Sequence, residues 1–269
     1  MTVRDTIFAG SIPAIYDRFM VPLVFAPYAR ELADRAAVLR PQRILETAAG
    51  TGVVTEALHR AFPDAEIVAT DLNAPMLEQA ARRIDAANIC FQTADAQALP
   101  FAQSSFDLVV CQFGIMFMPD KARANSEAHR VLRTGGSYML VIWDRIEHNH
   151  ATLSAGRAVA DLFPETEAAR FYERVPFRYH DIGQIEQDLL AGGFTDVEFE
   201  TVELRSRAAS ARDAAIALVQ GTPMRSDIEA IDAAMLGRAT DAAEEALRKY
   251  EGAAGFDAPM SARIVTAIK

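Results

Sequence analysis

The chain has 269 residues, 51% hydrophobic and 24% charged, with a formal net charge of −10. That length and apolarity bury a full core, and one α/β domain with additions is expected over two independent domains. The acidic balance repels a phosphate backbone and no Lys/Arg block interrupts it, so nucleic acid is excluded as the expected partner and a protein or small molecule is favoured.

In chain order, Ser11 to Leu39 is rich in apolar and aromatic residues (Ile15, Tyr16, Phe19, Val24, Phe25, Tyr28) and is broken by Pro13, Pro22 and Pro27. That spacing predicts short helices over one long one. A regular βα alternation follows: strand 43 to 47, helix 52 to 61, strand 66 to 70, helix 73 to 87, strand 89 to 93, strand 106 to 112, helix 120 to 132 and strand 137 to 143. Such alternation implies a parallel sheet wound on both faces. Asn73-Ala-Pro75 supplies a capping Asn and a first-turn Pro for its helix. Residues 145 to 180 mix charge with aromatics, 182 to 191 reads as a helix stopped by Gly192-Gly193, and 194 to 204 as a strand with Val197, Phe199 and Thr201 on one face and Asp196, Glu198 and Glu200 on the other. Residues 208 to 250 are alanine-rich and helix-forming, and 262 to 268 is a short final strand.

Cys90 and Cys111, the only cysteines, each lie in an apolar strand-like run and read as buried reduced thiols, which suits a cytoplasmic protein. The N-terminus lacks the apolar core of a signal peptide, and no apolar run reaches the ~18 residues of a membrane span, so a soluble protein is expected. Neither the histidine spacing nor the cysteines suggest a metal; Asp144, His148 and His150 alone are a weak cluster.

The most informative stretch is Arg43-Ile44-Leu45-Glu46-Thr47-Ala48-Ala49-Gly50-Thr51-Gly52, a buried strand that ends in an acid and turns through glycines into a helix. Glycines let such a turn come within contact distance of a ligand, and the strand-turn-helix suits a nucleoside. Asp71 closes the next strand about 20 residues on, the usual distance for an acid that accepts ribose hydroxyls. The third strand runs into Ala94-Asp95-Ala96. Three successive βα units therefore place a carboxylate at the carboxyl end of a strand, where open α/β sheets bind ligands.

Glu46-x-Ala48-x-Gly50-x-Gly52, Asp71 and Asp95-Ala96, with Phe106-Asp107-Leu108-Val109-Val110 and Leu132-Arg133-Thr134-Gly135-Gly136, resemble the motifs of class I S-adenosylmethionine-dependent methyltransferases over roughly residues 40 to 145. Within that superfamily the chain is most similar to the bacterial small-molecule branch that includes the ubiquinone and menaquinone C-methyltransferases. One departure is Ala48, where the family's turn usually opens with Gly; its methyl is tolerated if φ is negative.

The resemblance implies a three-layer, Rossmann-like α/β fold with a seven-stranded, mostly parallel sheet, an antiparallel last strand and a helical cap. The expected organisation is a single domain, 1–269, with its core at 40–144, 181–204 and 262–269 and cap segments at 1–39, 145–180 and 205–261. It implies S-adenosylmethionine as cofactor and S-adenosylhomocysteine as product, with a small-molecule methyl acceptor attacking through O, N or C, in a monomer or homodimer. Ala48 belongs to the cofactor-binding turn, backbone N–H groups around Ala49 to Gly52 (with Gly50 between) would face the methionine carboxylate, and Glu46 would hold its ammonium directly or through water. Asp71 would take the ribose, Asp95 and the Ala96 N–H the adenine edge, and Leu72 and Met76 its faces. Gln112 and Phe113 leave the fourth strand where the family's chain passes the sulfonium, and Tyr16 is placed to close over the cofactor. His148 or His150, after the fifth strand, would take a proton from a hydroxyl or enol acceptor.

Two other readings stand beside this one. A nicotinamide-dependent oxidoreductase shares Gly50-x-Gly52 and Asp71, but Thr55 stands where its third glycine or alanine belongs and no Tyr-x-x-x-Lys occurs. An inactive S-adenosylmethionine-binding protein would keep the same ligand positions. Cys111-Gln112-Phe113-Gly114 is unlike the Asn/Asp-Pro-Pro-Tyr/Phe tetrapeptide of amino-directed DNA and protein-glutamine methyltransferases.

Overall fold

The computed structural model describes residues 12–269. The chain divides into two compact units, one made of Tyr28–Trp143, Tyr179–Val202 and Ala262–Lys269, the other of the residues through Pro27, Asp144–Arg178 and Glu203–Ser261.

The strands are β1 (Arg43–Thr47), β2 (Glu66–Asp71), β3 (Ile89–Thr93), β4 (Phe106–Gln112), β5 (Leu132–Trp143), β6 (Asp196–Ala208), β7 (Glu251–Gly252) and β8 (Gly255–Ile268). They form one sheet in the order β3-β2-β1-β4-β5-β8-β6, with β7 on β8. The first five run parallel, and β8 runs antiparallel to β5 from Ser137↔Ile268 to Trp143↔Ala262. Ile44, Leu45, Ile67 and Ala69 are fully buried, as near-continuous apolar runs are in a parallel sheet covered on both faces. This is the expected Rossmann-like sheet, with eight strands in place of seven because β7 folds back on the start of β8, Glu251↔Phe256 and Gly252↔Gly255. Gly255 permits that hairpin: its φ is 101°, and a Cβ there would sit 2.8 Å from the Ala208 carbonyl oxygen.

Several boundaries differ from the sequence reading. The final strand starts at Gly255, not 262, and the alanine-rich stretch before it forms three helices, Ala211–Gln220, Met224–Asp232 and Met235–Leu247. Helix Ala74–Arg83 stops short of 87 because Ile84 turns extended (φ −115°, ψ 106°). In β6 the inward parity slips after Glu200: Thr201 is exposed and Val202 takes the buried position. Cys90 is exposed, contrary to expectation, because β3 is the edge strand and Cys90 falls on its open side; Cys111, in central β4, is buried.

Residues 28–39, grouped above with the cap, lie in the sheet-bearing unit, where Tyr28 is fully buried and its hydroxyl donates to the Val202 carbonyl at 2.9 Å. In the other unit, Tyr16–Phe25 winds as a π-helix around Pro22, a pitch that accommodates a residue with no N–H to donate. Helices Ala211–Gln220 and Met235–Leu247 pack together there through small buried residues, among them Ala214, Ala217, Ala239 and Ala243. Among the described residues, no helix is long and apolar enough to cross a membrane.

Candidate functional site

Parallel register sets the site's outline. Thr47 pairs with Thr70, Glu46 with Val110, and Asp71 with Thr93, so the carboxyl ends of β1 to β4 lie side by side. After β1 the backbone turns through left-handed residues at Ala48 (φ 55°), Gly50 (φ 57°) and Gly52 (φ 82°) before helix Val53–Ala61 begins. The turn is fastened by Ala49 N–H to the Thr70 carbonyl (2.9 Å) and Gly52 N–H to the Ala49 carbonyl (3.0 Å). Gly52 is also sterically required, since a Cβ there would lie 2.9 Å from Ile84 Cδ1 and 3.0 Å from Ala80 Cβ.

The positive φ of Ala48 corrects the condition attached to it. Its methyl is accommodated in the left-handed region, at a cost of roughly 1–2 kcal/mol for an L-residue. A non-glycine residue held there marks a conformation imposed by its surroundings, as functional turns often are.

Two carboxylates flank the turn. Glu46 is buried and accepts from the Thr55 hydroxyl at 2.6 Å. Burial pushes its pKa up to about 8, against the Thr55 bond, and the nearby Asp71 charge pushes the same way. Asp71 is also buried and raised by desolvation, which is opposed by hydrogen bonds to its charged form. Its Oδ2 accepts from Gly50 N–H at 2.9 Å, and its Oδ1 from Asn73 N–H at 2.8 Å and the Asn73 amide at 3.3 Å. Asn73 stands at the N-cap of helix Ala74–Arg83 as expected, but its side chain serves Asp71 in place of capping the helix.

Beyond β2, Leu72 is 59% exposed while Met76 is buried. The chain after β3 is tied to β2 by Ala94 N–H to the Asp71 carbonyl at 3.1 Å. Asp95 is exposed and its Oδ1 accepts from Gln97 N–H at 2.9 Å; Ala96, next to it, is half-buried. At the end of β4, Gln112 is half-buried and Phe113 is buried with φ 53°. The Phe113 ring stacks on Trp143 with centroids 3.8 Å apart and meets Tyr28 edge-on at 5.4 Å.

The sheet-bearing unit thus brings together Glu46, Ala48, Ala49, Gly50, Gly52, Asp71, Leu72, Met76, Asp95, Ala96, Gln112 and Phe113, while Tyr16, His148 and His150 belong to the other unit. There, Tyr16 stacks on Phe25 with centroids 5.1 Å apart. His148 Nδ1 lies 2.7 Å from Asp144 Oδ2, which also accepts from the Ser261 hydroxyl at 3.1 Å. His150 lies beside the Tyr250 ring at 6.1 Å.

Two contributors escaped sequence reasoning. Thr55 stood out as the residue that breaks a dinucleotide fingerprint, and its hydroxyl turns out to serve Glu46. The Trp143 platform under Phe113 follows from β5 lying beside β4, with Gln112 opposite Val141.

Residues 44–136 match the family described as "Methyltransferase domain". The chain is 39% identical over 114 residues to the demethylmenaquinone methyltransferase of Thermus thermophilus, covering 42% of this chain and 52% of that protein. It is 39% identical over 119 residues to the ubiquinone/menaquinone biosynthesis C-methyltransferase of Dinoroseobacter shibae, covering 43% and 46%. These alignments span about half the length of the curated relatives the chain matches. A solved Thermotoga maritima structure, described as an S-adenosylmethionine-dependent methyltransferase and possible histamine N-methyltransferase, superposes with a TM-score of 0.55 at 18% identity, covering 94% of each chain. At that identity the likeness speaks for the fold.

Proposed function

We propose that this chain, whose residues 44–136 match a methyltransferase-domain family, is a class I S-adenosylmethionine-dependent methyltransferase that moves a methyl group to an O, N or C nucleophile of a small organic molecule. The observation that carries the reading is the pair of buried acids, Glu46 and Asp71, on either side of a left-handed glycine turn that opens a helix. That set suits a ligand bearing an ammonium, a carboxylate and a ribose diol. A dinucleotide's pyrophosphate would meet instead a buried carboxyl, held by the very Thr55 that departs from the dinucleotide fingerprint.

When bound, S-adenosylmethionine supplies a methyl group already activated on a sulfonium. Glu46 would hold the ammonium, whose charge favours the ionised carboxylate against its burial. Because the Ala49, Gly50 and Gly52 N–H groups already donate to Thr70, Asp71 and Ala49, the methionine carboxylate would be met instead by N–H groups of the helix start after Gly52. Asp71 would accept ribose hydroxyls at positions shared with the Asn73 amide, the longest of its three described bonds. Asp95 and Ala96 would meet the adenine edge, and Leu72 its face. With a pre-activated donor, the protein's part is alignment and exclusion of water.

The test is transfer of labelled methyl from S-adenosylmethionine to a panel of phenols, amines and quinols, with S-adenosylhomocysteine release as a second readout. Product formation by the wild type that is lost in Asp71→Ala supports the reading. Binding of S-adenosylmethionine with no turnover on any acceptor class would favour a binding protein.

A further inference from the structure

Loops from two neighbouring strands meet at the candidate cofactor turn. β1 and β4 pair in parallel, and Thr47 Oγ1 donates to the Val110 carbonyl at 3.4 Å. Immediately beyond the pairing, each loop holds a non-glycine residue in the left-handed region, Ala48 at φ 55° and Phe113 at φ 53°. Gly114 stands against Ala48: a Cβ on Gly114 would lie 2.4 Å from Ala48 Cβ and 2.9 Å from Cys111 Sγ. Those two obstacles differ in kind. The sulfur turns about one side-chain bond, whereas the Ala48 methyl has no rotamer and moves only with its backbone. That backbone leads to Gly50, whose N–H is fixed on Asp71, and is one residue removed from Glu46, with Thr47 between them.

We infer that Gly114 is a positioning residue for the cofactor turn: the space left by its missing side chain is filled by the Ala48 methyl, which locks the β1 loop to the β4 loop and sets the turn between Glu46 and Asp71. Position 114 then acts on cofactor affinity through position 48 without touching the cofactor. The inference rests on the proposed function for its ligand, but the lock itself is a property of the pair and is legible without one.

The experiment is a double-mutant cycle in the full-length protein, G114A, A48G and A48G/G114A, with C111A/G114A as the control for the sulfur. Affinity for S-adenosylmethionine is read by calorimetry and folding by thermal melts. G114A is expected to weaken binding by about tenfold or more, the scale of coupling between residues in contact, and adding A48G to restore most of it while adding C111A does not. If G114A fails to fold, recovery of folding by A48G and not by C111A carries the same meaning. Wild-type affinity in G114A, or rescue by C111A and not by A48G, overturns the inference. If the wild type binds no S-adenosylmethionine the proposed function fails, while the melts still decide whether positions 48 and 114 are coupled.

Discussion

Glu46→Gln separates the demands of folding from those of binding. The folded protein keeps Glu46 protonated up to about pH 8, because burial disfavours its charge, whereas the unfolded chain ionises near the ordinary 4.5. Over that interval the folded state binds the extra proton, so stability falls as pH rises; the contribution is intact below pH 4.5 and fully lost above about pH 8. At ~1.36 kcal/mol per pH unit, the whole interval amounts to roughly 5 kcal/mol. A neutral glutamine still accepts the Thr55 hydroxyl through its carbonyl oxygen and carries no such dependence. Urea unfolding at a series of pH values should show Glu46→Gln close to the wild type near the acid end and more stable than it by several kcal/mol at the alkaline end. The same substitution should weaken S-adenosylmethionine binding by ~1.5–3 kcal/mol, the worth of a charged hydrogen bond. Wild-type affinity should also rise with pH up to about 8, as a proton leaves Glu46 on binding, and the variant's should stay flat. Parallel stability curves for the two proteins across the interval would refute the argument that a buried, proton-bearing acid sits at the end of β1.

Asp71→Ala should lower S-adenosylmethionine affinity by one or two charged bonds, ~1.5–3 kcal/mol each, while circular dichroism shows a folded protein; unchanged affinity in calorimetry would remove Asp71 from the site. Ala48→Gly should change stability by no more than about 1 kcal/mol in either direction in denaturant unfolding, since relief of a left-handed alanine, ~1–2 kcal/mol, is opposed by ~0.5–1 kcal/mol of added chain entropy and by loss of the methyl's packing at Gly114; a gain as large as the full relief would mean that the methyl packs nothing there. A thiol reagent should modify Cys90 in the native protein and reach Cys111 only on unfolding, because Cys111 is fully buried with its thiol pushed up to about 11; one fast thiol by mass spectrometry is the expected count.

The sheet was legible because the central parallel strands are buried on both faces and each parallel strand is punctuated by its own turn signal; β1, β3 and β4 have the bounds their apolar runs imply. The clustering of the proposed ligand positions was legible too, since register sets Glu46, Asp71 and the Gly50 turn beside one another. Local conformation was harder to read. A left-handed φ at Ala48 depends on the loop after β4, some sixty residues away in sequence, and the burial of Cys90 depends on which strand forms the edge. The start of β8 was hidden because Ala253 to Ser261 continues an alanine-rich composition, and only the Gly255 hairpin converts it to strand. Helical pitch around Pro22 likewise depends on packing within its own unit.

Calorimetric titration of the wild-type protein with S-adenosylmethionine, S-adenosylhomocysteine and NAD tests the central claim most directly. Saturable one-to-one binding of both sulfur nucleosides, with no heat from NAD, is the expected result, whereas NAD binding, or silence toward S-adenosylmethionine from a folded protein, would contradict it.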